Sequence, residues 1–383
     1  MNIENQNQTL ESLLEAVRDQ SARKQDYITP TSQLQVSTAM GPDEINRTSV
    51  ILEATGGAPT QVFTANSVAF DQMSTKAGID VRTARRLQAD YPDVLDHALN
   101  RIHEQEPRNA MLRTFDNGDN RGELRAVVSD KFKTFDHPDL LESVLPVLLD
   151  SHADWKIVNA DITDKRLYAR FKSLAITGQG AAVGDLMSQG VVISNSETGH
   201  GSVSVAQLVW TLACLNGIQT ANKNRTAHLT SSRSDGDTWA ILTDESKQLD
   251  NAALSSKLKD ITAHYASRDM FASVLEQFRN AAADVVVNGM AAAQPAVAAL
   301  GVVLKLSKAE TSSVLDGLMQ TIQQDGYRGE PLSRATMVNA VTAAAHGADA
   351  DAVTDWQVLG GKVLDLPANQ WAAVATVPVA MAA

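Results

Sequence analysis

The stretch RLYARFKSL, Arg166 to Leu174, alternates between two kinds of side chain with a period of two. This alternation is typical of a β-strand, whose successive side chains point to opposite faces of a sheet. One face would carry Leu167, Ala169, Phe171 and Ser173. The other would carry three cations and one aromatic ring, Arg166, Tyr168, Arg170 and Lys172. The stretch therefore predicts a sheet with one apolar and one basic face.

Further strands and a helix are predicted around this strand. Trp155–Thr163 reads as a strand that Asp164 and Lys165 join to it through a hairpin turn. Upstream, Gly122–Ser129 also reads as a strand. Asp136 then caps a helix that has a proline near its first position and leucine and valine on one face. The members of this apolar face are Leu140, Leu141, Val144, Leu145 and Leu148.

A polar loop, NSETGHG from Asn195 to Gly201, lies between two apolar segments. Val191–Ser194 reads as a short strand, and Val203–Leu215 is predicted to become a helix. The polar side chains of the loop can hydrogen-bond nearby backbone, and its glycines allow positive φ or the close approach of another chain. These properties favour a structural role for the loop.

Two catalytic interpretations of the same loop have weaker support. Ser196 or Ser202 could pair with His200 as nucleophile and base, but neighbouring loop side chains rarely reach that geometry, and no G-x-S-x-G elbow occurs. A metal-dependent nuclease could use Glu197, His200 and His228, although no recognised ligand spacing supports it. A P-loop is also lacking, so ATP-driven recombinase or helicase chemistry is not expected. We expect no enzyme activity, metal or cofactor.

Composition restricts the class of protein. The 383 residues include one cysteine, Cys214, which excludes an intramolecular disulfide framework and fits a reducing compartment. No apolar run of about 18 residues and no basic leader occurs, so a cytoplasmic protein without membrane contact is expected. The net charge is −12, yet the segment from Lys165 to Ser234 carries seven cations and two acids, which leaves −17 for the rest. The positive charge is therefore concentrated.

Four regions are predicted along the chain. Residues 1–60 would form a mobile polar arm with an amphipathic piece at Leu10–Val17. Residues 61–120 would be a helical lead-in that contains a helical hairpin between Asp80 and Gln105. Residues 121–245 would form the α+β core, and residues 246–383 a helical C-terminal region in which Ser307 starts a capping box.

The run STKAGIDVRTARRLQ, Ser74 to Gln88, has the general pattern of a DNA-reading helix-turn-helix unit. The adjacent Ala77 and Gly78 and the early Pro92 do not suit that motif. The sequence therefore favours a plain helical hairpin here. Altogether it predicts an α+β fold, with a small antiparallel sheet, flanking helices and a helical C-terminal region.

Several ordered segments between about residues 75 and 375 resemble the phage and plasmid proteins grouped as domain of unknown function 932. The most specific are the run from Arg125 to Phe132 (RAVVSDKF) and the loop from Asn195 to Gly201 with Cys214-Leu215-Asn216-Gly217 after it. Relatives commonly have an arginine in an aromatic-Arg-Leu-Val-Cys-Thr-Asn-Gly ending, where this chain has Trp210-Thr211-Leu212-Ala213-Cys214. More distantly, the chain resembles phage single-strand annealing proteins of the RecT and Erf type. That resemblance implies a curved sheet backed by a helix and a basic DNA groove in an oligomer.

Charge pattern and resemblance together give the hypothesis of a mobile-element protein that binds single-stranded DNA and anneals strands, in the cytoplasm of a bacterial host. Cations on a strand can follow phosphates while an aromatic ring stacks on a base. The expected DNA-binding residues are Arg166, Arg170 and Lys172 for phosphates, Tyr168 for stacking, and Arg125, Lys131, Lys133, Lys223 and Arg225 for extension of the track. The loop would shape the groove or a contact in a homo-oligomer through Asn195, Ser196, Glu197, Gly199, Gly201, Asn216 and Gly217. The alternatives are a factor that binds a phage or host protein, and the nuclease.

Overall fold

The computed structural model describes residues 9–53, 59–180, 186–211, 217–219, 226–228, 242–323 and 328–378. Its α-helices are α1 Leu10–Arg23, α2 Ser67–Lys76, α3 Val81–Asp90, α4 Pro92–Gln105, α5 His137–Asp150, α6 Asp244–Tyr265, α7 Arg268–Ala283, α8 Ala293–Leu304, α9 Lys308–Thr321, α10 Arg334–Ala343, α11 Ala350–Leu364 and α12 Ala368–Ala375. Its strands are β1 Lys24–Pro30, β2 Leu34–Met40, β3 Asn46–Leu52, β4 Gln61–Ala65, β5 Asn109–Asp116, β6 Arg121–Ser129, β7 Trp155–Ile162, β8 Leu167–Gln179, β9 Leu186–Asn195, β10 Ser204–Thr211, β11 Gly217–Gln219 and β12 Thr226–His228. Within these ranges, no helix combines the length and apolar character needed to cross a membrane.

The first sheet has the strand order β1-β5-β6-β4-β3-β2 and is antiparallel except for the parallel pair β4 and β6. Helices α2, α3 and α4 cover one of its faces, where the buried core includes Val50, Phe63, Leu95, Leu99, Leu112 and Leu124. The side chains of Asn66 and Asp80 cap α2 and α3 by accepting hydrogen bonds from backbone N–H groups. Pro92 opens α4, where its missing N–H costs nothing.

The second sheet has the order β11-β10-β9-β8-β7, and β12 also pairs with β10. The apolar face of β8 packs against α1, α5 and α6, as the alternation predicts, with Leu167, Ala169 and Phe171 buried in one core with Leu140 and Leu258. C-terminal helices lie on the opposite face, where Ile176 and Met187 join a core that includes Phe278 and Val341. The second sheet is therefore covered on both faces.

The α+β class and the helical C-terminal region are confirmed, as are the helix after Asp136 and the capping box at Ser307. The mobile arm predicted for residues 1–60 is wrong where the chain is described, because residues 10–52 form α1 and the three strands β1 to β3. The boundary predicted at residue 121 falls inside the first sheet, since β5 pairs with β6. The helix predicted from Val203 is also wrong: β10 pairs with β9 along its length.

Candidate functional site

The basic face of β8 is covered by α11. The Tyr168 hydroxyl donates a hydrogen bond to the Asp351 carboxylate at 2.6 Å, and Tyr168 is only 2% exposed. Arg166, before the strand, donates from Nε to the backbone oxygen of His200 at 2.8 Å. Lys172 is half-buried. The polar side chains of this face therefore hold helix and loop in place.

Arg170 is the most enclosed member of that face, with 2% of its surface exposed. Its guanidinium donates to the Asn159 side-chain oxygen and to the Thr354 hydroxyl, both at 2.6 Å, and to the Gln357 oxygen at 3.3 Å. Asp161 lies 3.4 Å away and supplies the opposite charge. Burial lowers the pKa of Arg170, which the Asp161 carboxylate opposes. The expectation that Arg170 and Tyr168 face DNA is wrong, because both are buried beneath α11.

The proposed extension of the DNA track is interrupted as well. Arg125 is 6% exposed and forms an ion pair with Glu197, so it cannot reach a phosphate in this structure. Lys133 forms an ion pair with Asp250, while Lys131 is exposed. Lys223 and Arg225, and Asn216 of the family pattern, lie outside the described residues. Among the residues predicted for one basic groove, those that the structure describes do not form a continuous exposed surface.

The loop from Asn195 to Gly201 joins the two sheets through the buried Glu197. One carboxylate oxygen of Glu197 accepts a hydrogen bond from Arg125 Nη1 at 2.9 Å, and the other accepts from the His137 backbone N–H at 2.7 Å. The Glu197 backbone oxygen accepts from Arg113 Nη1 at 2.8 Å. One residue of this loop thus binds β5, β6 and the start of α5.

The charges of this junction are balanced within the protein. Arg113 is fully buried and lies 2.7 Å from Asp136 and 3.2 Å from Asp26. Burial alone would raise the pKa of the Glu197 carboxyl. The neighbouring His137, Arg125 and Arg113 outweigh that effect and hold this pKa well below its usual range. A carboxylate that is ionised and already bound by its neighbours is suited to structure rather than to proton transfer.

The remainder of the loop makes structural contacts of the kind expected from its composition. The Asn195 amide donates to the Phe135 backbone oxygen at 2.8 Å. The Thr198 backbone oxygen accepts from the Gln72 amide at 2.7 Å, which connects the loop to α2. Gly199 and Gly201 have φ values of +80° and +145°, as the sequence predicts, and Gly217 begins β11. The loop is therefore a junction between substructures.

Neither catalytic interpretation of the loop gains support from the geometry. The Ser196 hydroxyl donates to the Lys165 backbone oxygen at 2.7 Å, and the His200 ring contacts the Thr198 hydroxyl at 3.2 Å rather than a serine. In the described part of the chain, no group of three His, Cys, Asp or Glu side chains is placed to hold a metal ion. The side chain of His228 is not among those described.

An exposed basic surface lies instead on α3. Helix α2 ends at Lys76, a four-residue turn follows, and α3 begins at Val81. Gly78 in the turn has φ +76°, a conformation that suits glycine, and Pro92 lies beyond α3 and opens α4. Ala77 and Gly78 therefore lie in the turn between α2 and α3, and α3 and α4 pack together as the helical hairpin that the sequence favours.

The α3 arginine stripe consists of Arg82, Arg85 and Arg86, which are all exposed. With the exposed Ala89 they occupy positions i, i+3, i+4 and i+7, so they share one face of the helix. The sequence contains this signal in DVRTARRLQA, Asp80 to Ala89. The cations of this stripe are accessible to solvent, whereas Arg125 and Arg170 are buried.

Two members of the stripe have acidic neighbours on the surface. Arg85 forms an ion pair with Asp71 at 2.7 Å, and Arg86 lies 3.9 Å from Asp90 with 74% of its side chain exposed. Arg82 makes no ion pair with any residue that the structure describes. Exposed pairs of this kind contribute little, so a phosphate can replace the carboxylate partners.

Comparison of the chain with protein-family models, with curated proteins and with solved structures finds no match. The resemblance to domain of unknown function 932 and to annealing proteins therefore stays a prediction.

Proposed function

We propose that this protein binds DNA through the α3 arginine stripe. The observation that carries the proposal is the alignment of three guanidinium groups on one exposed helix face, next to the small side chain of Ala89. In helix-turn-helix units, the second helix enters the major groove and its first residues approach the bases. Here Arg82 and Arg86 would contact phosphates or guanines, since arginine pairs with both.

The short turn between α2 and α3 favours duplex DNA as the ligand, because helix-turn-helix units bind duplex. The resemblance described above implies single-stranded DNA instead, with strand annealing by an oligomer in a bacterial cytoplasm. Both forms carry one negative charge per phosphate. The salt dependence of the binding constant distinguishes duplex from single strands, because its slope per phosphate contact differs between them. Three phosphate contacts give a slope of log K against log salt of about −2.7 for duplex and about −2.1 for single strands.

Affinity should be modest, because the net charge of −12 repels DNA. With a slope of about −2.7, a rise from about 50 to about 200 mM salt lowers the binding constant roughly 40-fold. Binding is therefore best measured at low salt.

The test is fluorescence anisotropy of a labelled duplex and of its separate strands, at several salt concentrations. Arg82→Gln/Arg86→Gln should weaken binding and make the slope shallower by about 1.8, the share of two phosphate contacts on duplex. Lys257→Gln/Lys259→Gln is the matched control, since both lysines are exposed on α6. Loss of binding in the control alone, or an unchanged slope in the α3 variant, contradicts the proposal.

The same titration addresses the alternative of a protein partner. If wild type binds neither duplex nor single strands at low salt, the α3 proposal fails and a phage or host protein becomes the expected ligand. If single strands bind more tightly than duplex, annealing of complementary oligonucleotides follows as the next assay, together with light scattering to measure the mass of the assembly.

A further inference from the structure

A cavity of about 200 Å³ lies where α2 and α4 end, beside the start of β5 and the end of β6. Its wall contains two cations, a histidine, a carboxylate and two hydroxyl side chains, namely Lys76, Arg108, His103, Glu106, Thr31 and Ser129. Pockets for drug-sized ligands usually measure about 300–1,000 Å³, so this one suits a smaller group.

The two cations line the same cavity, and Arg108 reaches the backbone of Lys76. The pKa of Lys76 is lowered by burial first and by the charge of Arg108 second, while Asp130 opposes the change. Arg108 donates to the Lys76 backbone oxygen at 3.4 Å and pairs with Glu106 at 3.3 Å. Lys76 itself has no ion pair with any residue that the structure describes. Two like charges held together in a concavity favour an anion between them.

His103 adds a polar group without a partner. It is 6% exposed, and its Nδ1 atom makes no hydrogen bond within the described residues. Buried polar atoms are nearly always paired, so such an exception calls for a ligand or an ordered water molecule. Burial lowers the pKa of His103, and a nearby anion would raise it.

We propose that this cavity binds a tetrahedral oxyanion, phosphate or sulfate, between Lys76 and Arg108, with His103 at the rear of the site. Arginine and lysine are the usual phosphate ligands in proteins. Glu106 limits the affinity, because it competes with the anion for Arg108. The site is independent of DNA binding by the α3 arginine stripe, so either proposal can fail without the other.

The experiment measures binding of sulfate and of inorganic phosphate by isothermal titration calorimetry, at constant ionic strength with chloride as reference. Both anions should bind in the millimolar range. Lys76→Met should weaken binding at least about tenfold, which corresponds to about 1.4 kcal/mol. Glu106→Gln should strengthen binding several-fold, and the exposed control Lys257→Met should leave it unchanged. No specific sulfate binding, or equal affinity in all variants, overturns the proposal.

The pH dependence of sulfate binding isolates His103, because sulfate keeps its charge throughout the range. Affinity should rise as the pH falls from 8 to 6, since protonated His103 favours the anion, and His103→Asn should abolish this rise. The other charged groups of the wall are Lys76, Glu106 and Arg108, and all three are still present in His103→Asn, so the comparison isolates the effect of His103. A rise that persists in His103→Asn contradicts the placement of His103 in the site.

Two further ligands distinguish the source of the anion. A 5′-phosphorylated dinucleotide that binds more tightly than inorganic phosphate identifies a nucleic-acid end, whereas equal affinity identifies the free anion. A 5′-hydroxyl dinucleotide, which keeps the internal phosphodiester but lacks the terminal phosphate, is the control and should bind more weakly. Binding of that control as tightly as of the phosphorylated form overturns the anion site.

Discussion

Replacement of Glu197 by glutamine tests whether the Asn195–Gly201 loop is a structural junction or a catalytic centre. Glutamine keeps the shape of the side chain and can still accept the hydrogen bond from the His137 N–H. It removes the negative charge that faces Arg125, whose side chain is only 7% exposed. The variant therefore leaves a buried guanidinium without its counter-charge.

Breaking a buried ion pair by removal of one partner costs about 3–5 kcal/mol. The guanidinium of Arg125 also lies 4.0 Å from the centre of the Phe115 ring, a contact that survives the substitution. We therefore expect the lower end of the range, about 3 kcal/mol. Native proteins are stable by only about 5–15 kcal/mol, so this loss is a large share of the total free energy of unfolding.

Urea denaturation followed by tryptophan fluorescence measures this difference directly. Glu276→Gln is the control, because Glu276 is exposed on α7, and it should change stability by less than about 0.5 kcal/mol. The structural explanation is refuted if Glu197→Gln denatures within about 0.5 kcal/mol of wild type. If that stable variant has also lost a metal-dependent cleavage of DNA that wild type performs, the nuclease alternative replaces it.

Three further predictions concern the same internal contacts. The pKa of Glu197 is lowered on folding from its ordinary value of 4.5, so its contribution to the free energy of unfolding is complete above that pH and is lost as the pH falls below it. Wild type should therefore lose stability more steeply than Glu197→Gln between pH 4.5 and about 3. Urea titrations in which both proteins lose stability in parallel over this range would contradict the prediction. Tyr168→Phe removes the donor to a carboxylate and should cost about 1–3 kcal/mol in thermal or urea unfolding, whereas an unchanged midpoint would show that α11 is not anchored there. Gly201→Ala places a Cβ atom against the guanidinium of Arg166 at φ +145° and should cost about 1–3 kcal/mol, measured against Ser202→Ala, which should have little effect.

The local period of the sequence predicts which residues form β8 and which of them enter the core. Leu167, Ala169 and Phe171 are buried on one face, as the alternation requires. The period does not reveal what covers the opposite face, because the covering helix lies about 180 residues further along the chain. The sequence of α11 does contain the polar partners of that face, since Asp351 and Thr354 accept hydrogen bonds from Tyr168 and Arg170.

Other errors arise where both faces of an element are apolar or where polar strands lie at an edge. Strand β10 is buried along its whole length, so apolar residues occupy both of its faces and periodicity cannot assign it to strand or helix. Strand β2 alternates clearly at Leu34 and Val36, but its Ser, Thr and Gln residues resemble a polar arm. Hydrophobic pattern alone does not separate a half-buried edge strand from a polar segment.

The misplaced DNA surface has a general physical cause. Arg170 pairs with Asp161, Tyr168 with Asp351, and the cation that meets Glu197 comes from β6. In each case one partner lies inside the segment from Lys165 to Ser234 and the other lies outside it, so an excess of one charge in a sequence window is also what buried pairing produces. The α3 arginine stripe shows the converse, because its three cations have acids nearby in sequence and yet remain exposed. Spacing on a solvent-exposed helix face, rather than net charge along the chain, is therefore the better guide to accessible cations in this protein.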